Sequence, residues 1–227
     1  MSFQHHSLLI FDLDGTLIDS VPDLAAAVNH MLLTLHRQTF DENVIRFWVG
    51  NGAQTLVRRA LCGSHVIDQD LDQEVFEQAL EVFLTYYKSH LSINTVLYPQ
   101  VRDTLQQLKA AGFRISIVTN KPFEFVQPIL EGLGIAQYFE FCLGGDSLAT
   151  KKPDPLPLLH TCKVLGVNTK DAVMIGDSKN DILAAKAAGI KSIAVSYGYN
   201  YGEDISIYNP DIVIDDFSEI LGILKEI

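Results

Sequence analysis

Asp12-Leu13-Asp14-Gly15-Thr16 places two carboxylates two residues apart, directly after the apolar run Leu8–Phe11. Beyond a strand end, such a pair can share one magnesium ion, one residue binding through its side chain and the other through backbone or water. Magnesium takes hard oxygen ligands and retains waters. A carboxylate so placed can also attack phosphorus, giving an acyl phosphate that divides one hard displacement into two easier ones. Gly15 allows a sharp turn that aims neighbouring N–H groups at phosphate oxygens. Asp-Gly pairs also form ordinary turns, so this segment alone leaves a capped turn open.

Three further segments repeat the pattern of a strand followed by polar groups. Ile117-Val118-Thr119-Asn120-Lys121 offers a hydroxyl and an amide to a phosphate oxygen, or simply an N-cap for a helix near Pro122. Lys151-Lys152-Pro153-Asp154-Pro155 fixes a cation beside a proline, where it could balance charge on a transferring phosphoryl group. The alternative is a solvated lysine pair before a proline-started helix. Only Lys152 directly precedes Pro153, which restricts its backbone to extended conformations. Lys151 is therefore expected to face the opposite way, into solvent. In Gly176-Asp177-Ser178-Lys179-Asn180-Asp181, a third carboxylate follows a strand and a fourth lies one helical turn on. A capped helix start accounts for Ser178 but not for an aspartate at the end of this strand too.

The elements that must position these groups alternate along the chain. Apolar runs at Leu8–Phe11, Ile115–Val118, Ala172–Ile175, Ser192–Val195 and Asp211–Ile214 suit strands buried on both faces. Helical patterns lie between them: Val101, Leu105 and Leu108 ending at Gly112, Phe125–Leu133, and Ile182–Ala188 ending at Gly189. Such alternation predicts an α/β fold, a Rossmann-like parallel sheet with helices on both faces. From Val21 to His90 no strand is evident. A helical stripe of Leu71, Val75, Ala79, Phe83 and Tyr86 or Tyr87 predicts instead an inserted helical block. Residues 1–18 and 94–227 are expected to form the α/β core and 19–93 a cap, which would lie over the carboxyl ends of the strands, where ligands bind in open sheets.

Composition narrows the partners. A net charge of −11 without clustered Lys and Arg argues against a nucleic-acid partner. It also requires any site for an anion to carry its own local positive charge. No apolar run approaches the roughly 20 residues of a membrane span, and no export signal is evident before Leu8. His5-His6 reads as part of a polar tail. Cys62, Cys142 and Cys162 have no paired spacing and read as buried thiols in a reducing cytoplasm.

Taken together, Asp-x-Asp, Thr-Asn, Lys-Pro and Gly-Asp-Ser-x-x-Asp, each after a strand, resemble the haloacid dehalogenase-like superfamily over almost the whole chain. Trp48-Val49-Gly50-Asn51-Gly52-Ala53 and Tyr197-Gly198-Tyr199-Asn200-Tyr201-Gly202-Glu203 are similar to the phosphoglycolate phosphatase family. The resemblance implies Asp12 as nucleophile, Asp14 as acid and base, and Thr119 and Lys152 as holders of the phosphoryl group. It implies magnesium on Asp12, the Asp14 backbone carbonyl and Asp177, with Ser178 and Asp181 behind them. Chloride dependence, known in some members, is a further possibility that no residue tests.

The expected activity is hydrolysis of a small anionic phosphate ester, with 2-phosphoglycolate suggested by the resemblance. Thr16 and Asn120 are expected to contact the substrate. Gly50-Asn51-Gly52, just before a helix over Ala53–Leu61, would turn free N–H groups to an anion such as a carboxylate, and Arg59 on that helix is a further candidate contact. A sugar-phosphate phosphatase or phosphomutase on the same scaffold is the rival among enzymes. A dehalogenase fits less well, because Asp14 has a task only where a leaving alkoxide needs a proton. An aspartate-phosphorylated receiver domain is the rival from another class, but it would carry no large cap. A monomer is expected.

Overall fold

The computed structural model describes residues 6–225, so the His5-His6 pair and the first residues read for an export signal lie partly outside the described residues. The central strand is β1 (Leu8–Phe11), all four residues fully buried. Each such Leu, Ile or Phe contributes roughly 1.5–3 kcal/mol of burial. Its neighbours are β4 (Arg114–Val118) and β6 (Ala172–Gly176), flanked by β5 (Phe141–Leu143), β7 (Lys191–Val195) and β8 (Ile212–Ile214). The six strands run parallel in the order β5-β4-β1-β6-β7-β8. Phe11 stands in register with both Ile117 and Ile175. The residues that leave β1, β4 and β6 therefore emerge together at one edge of the sheet.

Both faces of the sheet are covered, with alternate residues turning to opposite sides. Leu9, Phe11, Ile115, Ile117, Val173 and Ile175 pack toward α5 (Val101–Ala110), α6 (Phe123–Gly132) and α9 (Glu219–Lys225). Leu8, Ile10 and Met174 face α7 (Leu156–Leu165) and α8 (Lys179–Ala188), where Ala184 and Ala185 permit close approach. The proposed strand at Asp211–Ile214 begins one residue later, and β5 is an addition. No described helix is long and apolar enough to cross a membrane. The three cysteines are free, and only Cys162 is buried.

Between β1 and α5 lie α1 (Val21–Thr34), α2 (Glu42–Arg46), α3 (Ala53–Cys62) and α4 (Gln73–Ser89). The buried face of α4 consists of Phe76, Ala79, Phe83 and Tyr87, so the expected stripe is shifted by one residue at its start. Leu71 precedes the helix, which Asp72 caps by accepting from the Glu74 and Val75 N–H groups. The two chain segments joining these helices to the sheet form an antiparallel pair, β2 (Ile18–Asp19) with β3 (Val96–Leu97).

Asp23 fastens the same junction. It is 2% exposed and accepts from the Asn94 N–H at 2.9 Å, the Thr95 N–H at 2.8 Å and the Thr95 hydroxyl at 2.7 Å. Truncation would leave several donors unpaired in a dry site, each costly in its own right. Asp23→Ala is expected to lower stability by about 2–3 kcal/mol, read as a lower urea midpoint at constant slope. A loss below about 0.5 kcal/mol, the range of ordinary surface changes, would show that the junction does not depend on this carboxylate.

Candidate active site

Asp12 leaves β1 with its own N–H bonded to the Ile175 carbonyl at 2.9 Å. Its Oδ1 accepts from the Leu13 N–H at 2.7 Å and pairs with Lys152 Nζ at 3.0 Å. Burial pushes its carboxyl up to about 6; Lys152 opposes that shift and Asp181 adds to it. Lys152, 2% exposed, also pairs with Asp181 Oδ1 at 2.7 Å. One ammonium thus lies between two carboxylates. Burial alone would lower its pKa, but Asp12 and Asp181 outweigh that and keep it cationic.

Asp177 follows β6. The Thr16 hydroxyl donates to it at 2.8 Å and the Tyr199 N–H at 2.8 Å. Burial first, then the neighbouring Asp181 and Asp12, hold its carboxyl well above the ordinary range. Its surroundings admit no added atoms: a Cβ on Gly15 would sit 2.3 Å from Asp177 Oδ2, and one on Gly198 2.1 Å from Asp177 Cβ. Asp181 starts α8 in a capping box, Oδ2 accepting from the Ser178 N–H and hydroxyl. Oxygens of Asp12, Asp177 and Asp181 lie within 4.8 Å of one another, a buried acidic cluster able to bind a metal ion.

Asp14 stands on the other side of Asp12. Ser20 Oγ donates to its Oδ1 at 2.6 Å, and Lys121 Nζ contacts both oxygens, at 3.0 and 3.2 Å. Lys121 is 4% exposed, and the sequence reading gave it no role. Its one signal was position: a cation directly after Thr119-Asn120 in a strongly acidic chain. Asp12, Asp14, Thr119 and Lys121 form the polar floor of a cavity whose wall is Leu24, Val49, Leu56, Phe83 and Phe125. The wall residues other than Phe125 come from α1, α3, α4 and the segment before α3, so the helical insert closes over the strand ends.

The remaining expected residues divide. Gly50 and Gly52 line the cavity. The loop is stitched to the sheet through its carbonyls: Asn120 and Asn180 both donate to Gly50 O at 3.2 Å, and Lys151 Nζ donates to Asn51 O at 2.6 Å. The solvated position expected for Lys151 is therefore corrected: it is a half-buried cation, its pKa lowered by that burial, bridging sheet and insert. Asn120 lines the cavity but uses its amide N–H₂ on Gly50 O and Lys152 O. Arg59 does not line the cavity. Its guanidinium donates to Trp48 O at 2.7 Å and His65 O at 3.2 Å, which fixes the loop before α3. Arg58 lies over the Phe76 ring at the surface.

The tyrosines of residues 197–201 lace the site from behind. Tyr197 donates to Thr16 O at 2.8 Å, and Tyr199 donates to Asp19 Oδ1 at 2.8 Å. The Tyr201 hydroxyl accepts from Asn180 at 3.0 Å.

Comparison with known proteins agrees with this geometry. The haloacid dehalogenase-like hydrolase family profile matches residues 9–195. A phosphoglycolate phosphatase of Colwellia psychrerythraea is 56% identical over 99% of this chain and 100% of its own length. One from Psychrobacter arcticus is 53% identical over 96% of this chain and 95% of its own. The crystal structure of a predicted phosphoglycolate phosphatase from Haemophilus somnus superposes with a TM-score of 0.90 at 40% identity, covering 96% of this chain and 98% of that one. These relationships set the receiver-domain alternative aside. A chain this similar to those relatives belongs to the phosphoglycolate phosphatase family of the haloacid dehalogenase-like hydrolases.

Proposed function

We propose that the chain hydrolyses 2-phosphoglycolate to glycolate and phosphate, with magnesium, through a phosphoryl group carried on Asp12. The observation that carries this reading is the setting of Asp12: a buried carboxylate at the end of the central strand, paired with Lys152, with Asp14 beside it in one cavity. Residues 19–93 serve as the cap that shuts this cavity.

The donor set fits magnesium. Among the described residues, the cluster of Asp12, Asp177 and Asp181 is in ion-pair contact with one ammonium group, Lys152, and a divalent cation would balance the remaining charge. Asp12, the Asp14 backbone carbonyl and Asp177 would hold it. Asp181, whose oxygens are already taken by Lys152 and Ser178, would stand behind them. When bound, the ion supplies positive charge for the phosphoryl oxygens.

An Asp12 oxygen attacks phosphorus while the bond to the leaving oxygen breaks, and protonated Asp14 gives that oxygen its proton. Asp14, then a carboxylate, takes a proton from water as the water attacks phosphorus. The acyl–oxygen bond to phosphorus breaks and Asp12 returns as a carboxylate. Lys152 offsets charge on the phosphoryl oxygens, the main task in phosphoryl transfer. Thr119, 3% exposed and lining the cavity, supplies a hydroxyl there.

The wall argues for a short organic portion. Leu24, Val49, Leu56, Phe83 and Phe125 offer no partners for the hydroxyls of a sugar, which would be left unpaired on burial. Turnover of 2-phosphoglycolate against a panel of phosphate esters, with magnesium, tests this choice. A kcat/KM for a sugar phosphate equal to or above that for 2-phosphoglycolate would overturn it.

Asp14→Asn separates the roles of the two aspartates. With an activated ester whose leaving group needs no proton, this variant should still be attacked but should hydrolyse its adduct slowly. Intact-mass measurement of the quenched variant is expected to show one phosphoryl group, mapped to Asp12. Lost turnover with no adduct would assign Asp14 a different task.

A further inference from the structure

Resting on the substrate reading above, we propose that Lys121 and Tyr87 form the receptor for the carboxylate of the substrate and set the enzyme's preference for carboxylated phosphate esters. Lys121 comes from the sheet side and Tyr87 from α4 of the insert, and they meet in the cavity next to Asp14. Lys121 Nζ lies 4.9 Å from the centroid of the Tyr87 ring.

Three observations carry the assignment. First, the Tyr87 hydroxyl is buried, on a residue only 1% exposed, and no acceptor among the described residues takes its proton; the group beside it is Lys121, which can only donate. A buried O–H left without an acceptor costs about 1–3 kcal/mol, and such a donor in a native site calls for one. Burial pushes its phenol up to about 12, so it remains protonated and can only be improved by an acceptor.

Second, Lys121 is a fully buried ammonium beyond what Asp14 requires. Ser20 already fixes Asp14 at 2.6 Å. Its Nζ stands inside a mostly apolar wall, with Asp14 as its ion-pair partner. Charge-assisted bonds formed there are about twice as strong as neutral ones.

Third, the positions match the chemistry. In 2-phosphoglycolate the carboxylate is one carbon from the leaving oxygen. The leaving oxygen must face Asp14 to receive its proton, so the carboxylate must lie beside Asp14. That is where Lys121 stands, in contact with both Asp14 oxygens. Gly52 and Ala53, which open α3 with no capping side chain, line the same cavity and offer main-chain donors nearby.

The test uses two unreactive phosphonates that differ only in the carboxylate, phosphonoacetate and methylphosphonate, bound to the full chain with magnesium and followed by calorimetry. Wild type is expected to prefer phosphonoacetate by roughly thirtyfold, the scale of one hydrogen bond to a charged group. Lys121→Met should reduce that preference below about threefold, and Tyr87→Phe, which keeps the ring, by about three- to tenfold. If Lys121 served only to hold Asp14, both ligands would weaken alike and the preference would persist, which overturns the proposal. So would a wild type with no preference. A wild type that prefers phosphonoacetate yet fails to turn over 2-phosphoglycolate would overturn the substrate reading and leave this receptor standing.

Discussion

Asp12→Asn is expected to abolish turnover, lowering kcat by about four orders of magnitude or more, the scale on which covalent hydrolases lose rate without their nucleophile. The substitution keeps the shape of the side chain. It removes the charge proposed to attack phosphorus, one oxygen of the acidic cluster and one of the two carboxylates facing Lys152. The same change should make the metal-free fold more stable. Burial raises the Asp12 carboxyl to about 6, so its ionised form is disfavoured in the folded chain. A raised carboxyl costs the folded state nothing below its ordinary value near 3.8 and the full amount above about 6. The gain from asparagine should therefore be full at pH 7 and fade as the pH falls from 6 toward 4. Thermal unfolding in the presence of a chelator, with steady-state kinetics in magnesium, checks both halves. A variant retaining a tenth of wild-type activity would rule out attack by Asp12. Activity and stability moving in opposite directions is the usual behaviour of a group held in an unfavourable environment for function.

The strands that carry these groups were legible because they are buried on both faces. Leu8–Phe11 and Ala172–Ile175 read as unbroken apolar runs, and each strand ends at an aspartate whose side chain takes no part in the sheet. β5 was not legible: its three residues form an edge strand that is mostly half-buried, with no period to detect. The β2–β3 pair is shorter still, and its partners are separated by the whole insert.

The site was legible on the same terms. Position after a strand singled out Asp12, Asp14, Thr119 and Asp177, and position before Pro153 singled out Lys152; the register of β1, β4 and β6 brings those three strand ends to one edge. Residues that arrive across the cavity carry no such mark. Tyr87 reads in sequence as one more apolar position on α4, and only its buried hydroxyl beside Lys121 distinguishes it. Arg59 has the composition of an anion contact, yet its guanidinium is consumed by backbone carbonyls of its own insert. Position before Pro153 did separate Lys152 from Lys151, although the segment is a turn, closed by the Asp154 N–H on Lys151 O at 2.9 Å, and not extended. It could not show that the side away from Asp12 is covered by the loop at Asn51 rather than by water.

Those two lysines give the second large effect. Lys152→Met removes the only ammonium among the described residues in contact with both Asp12 and Asp181, while keeping most of the side-chain volume. In the transition state the phosphoryl oxygens would lose a pre-aimed cation inside a dry site, a loss worth about 3 kcal/mol or more. The carboxylates of Asp12, Asp177 and Asp181 would also be left facing one another without it. We therefore expect kcat/KM to fall at least a hundredfold, on the order of 2.7 kcal/mol, with most of the loss in kcat. Lys151→Met removes one hydrogen bond, from Nζ to Asn51 O, that holds the loop before α3 against the sheet. Such a bond contributes about 0.5–1.5 kcal/mol net, which corresponds to a two- to tenfold loss. Because that bond helps close the cavity instead of meeting the phosphoryl group, the loss should fall mainly on KM. Steady-state kinetics of the two variants on one substrate separate these roles. Equal losses, or a larger loss at Lys151, would mean that the cation serving the phosphoryl group is Lys151, and that the contacts of Lys152 with Asp12 and Asp181 serve the fold alone.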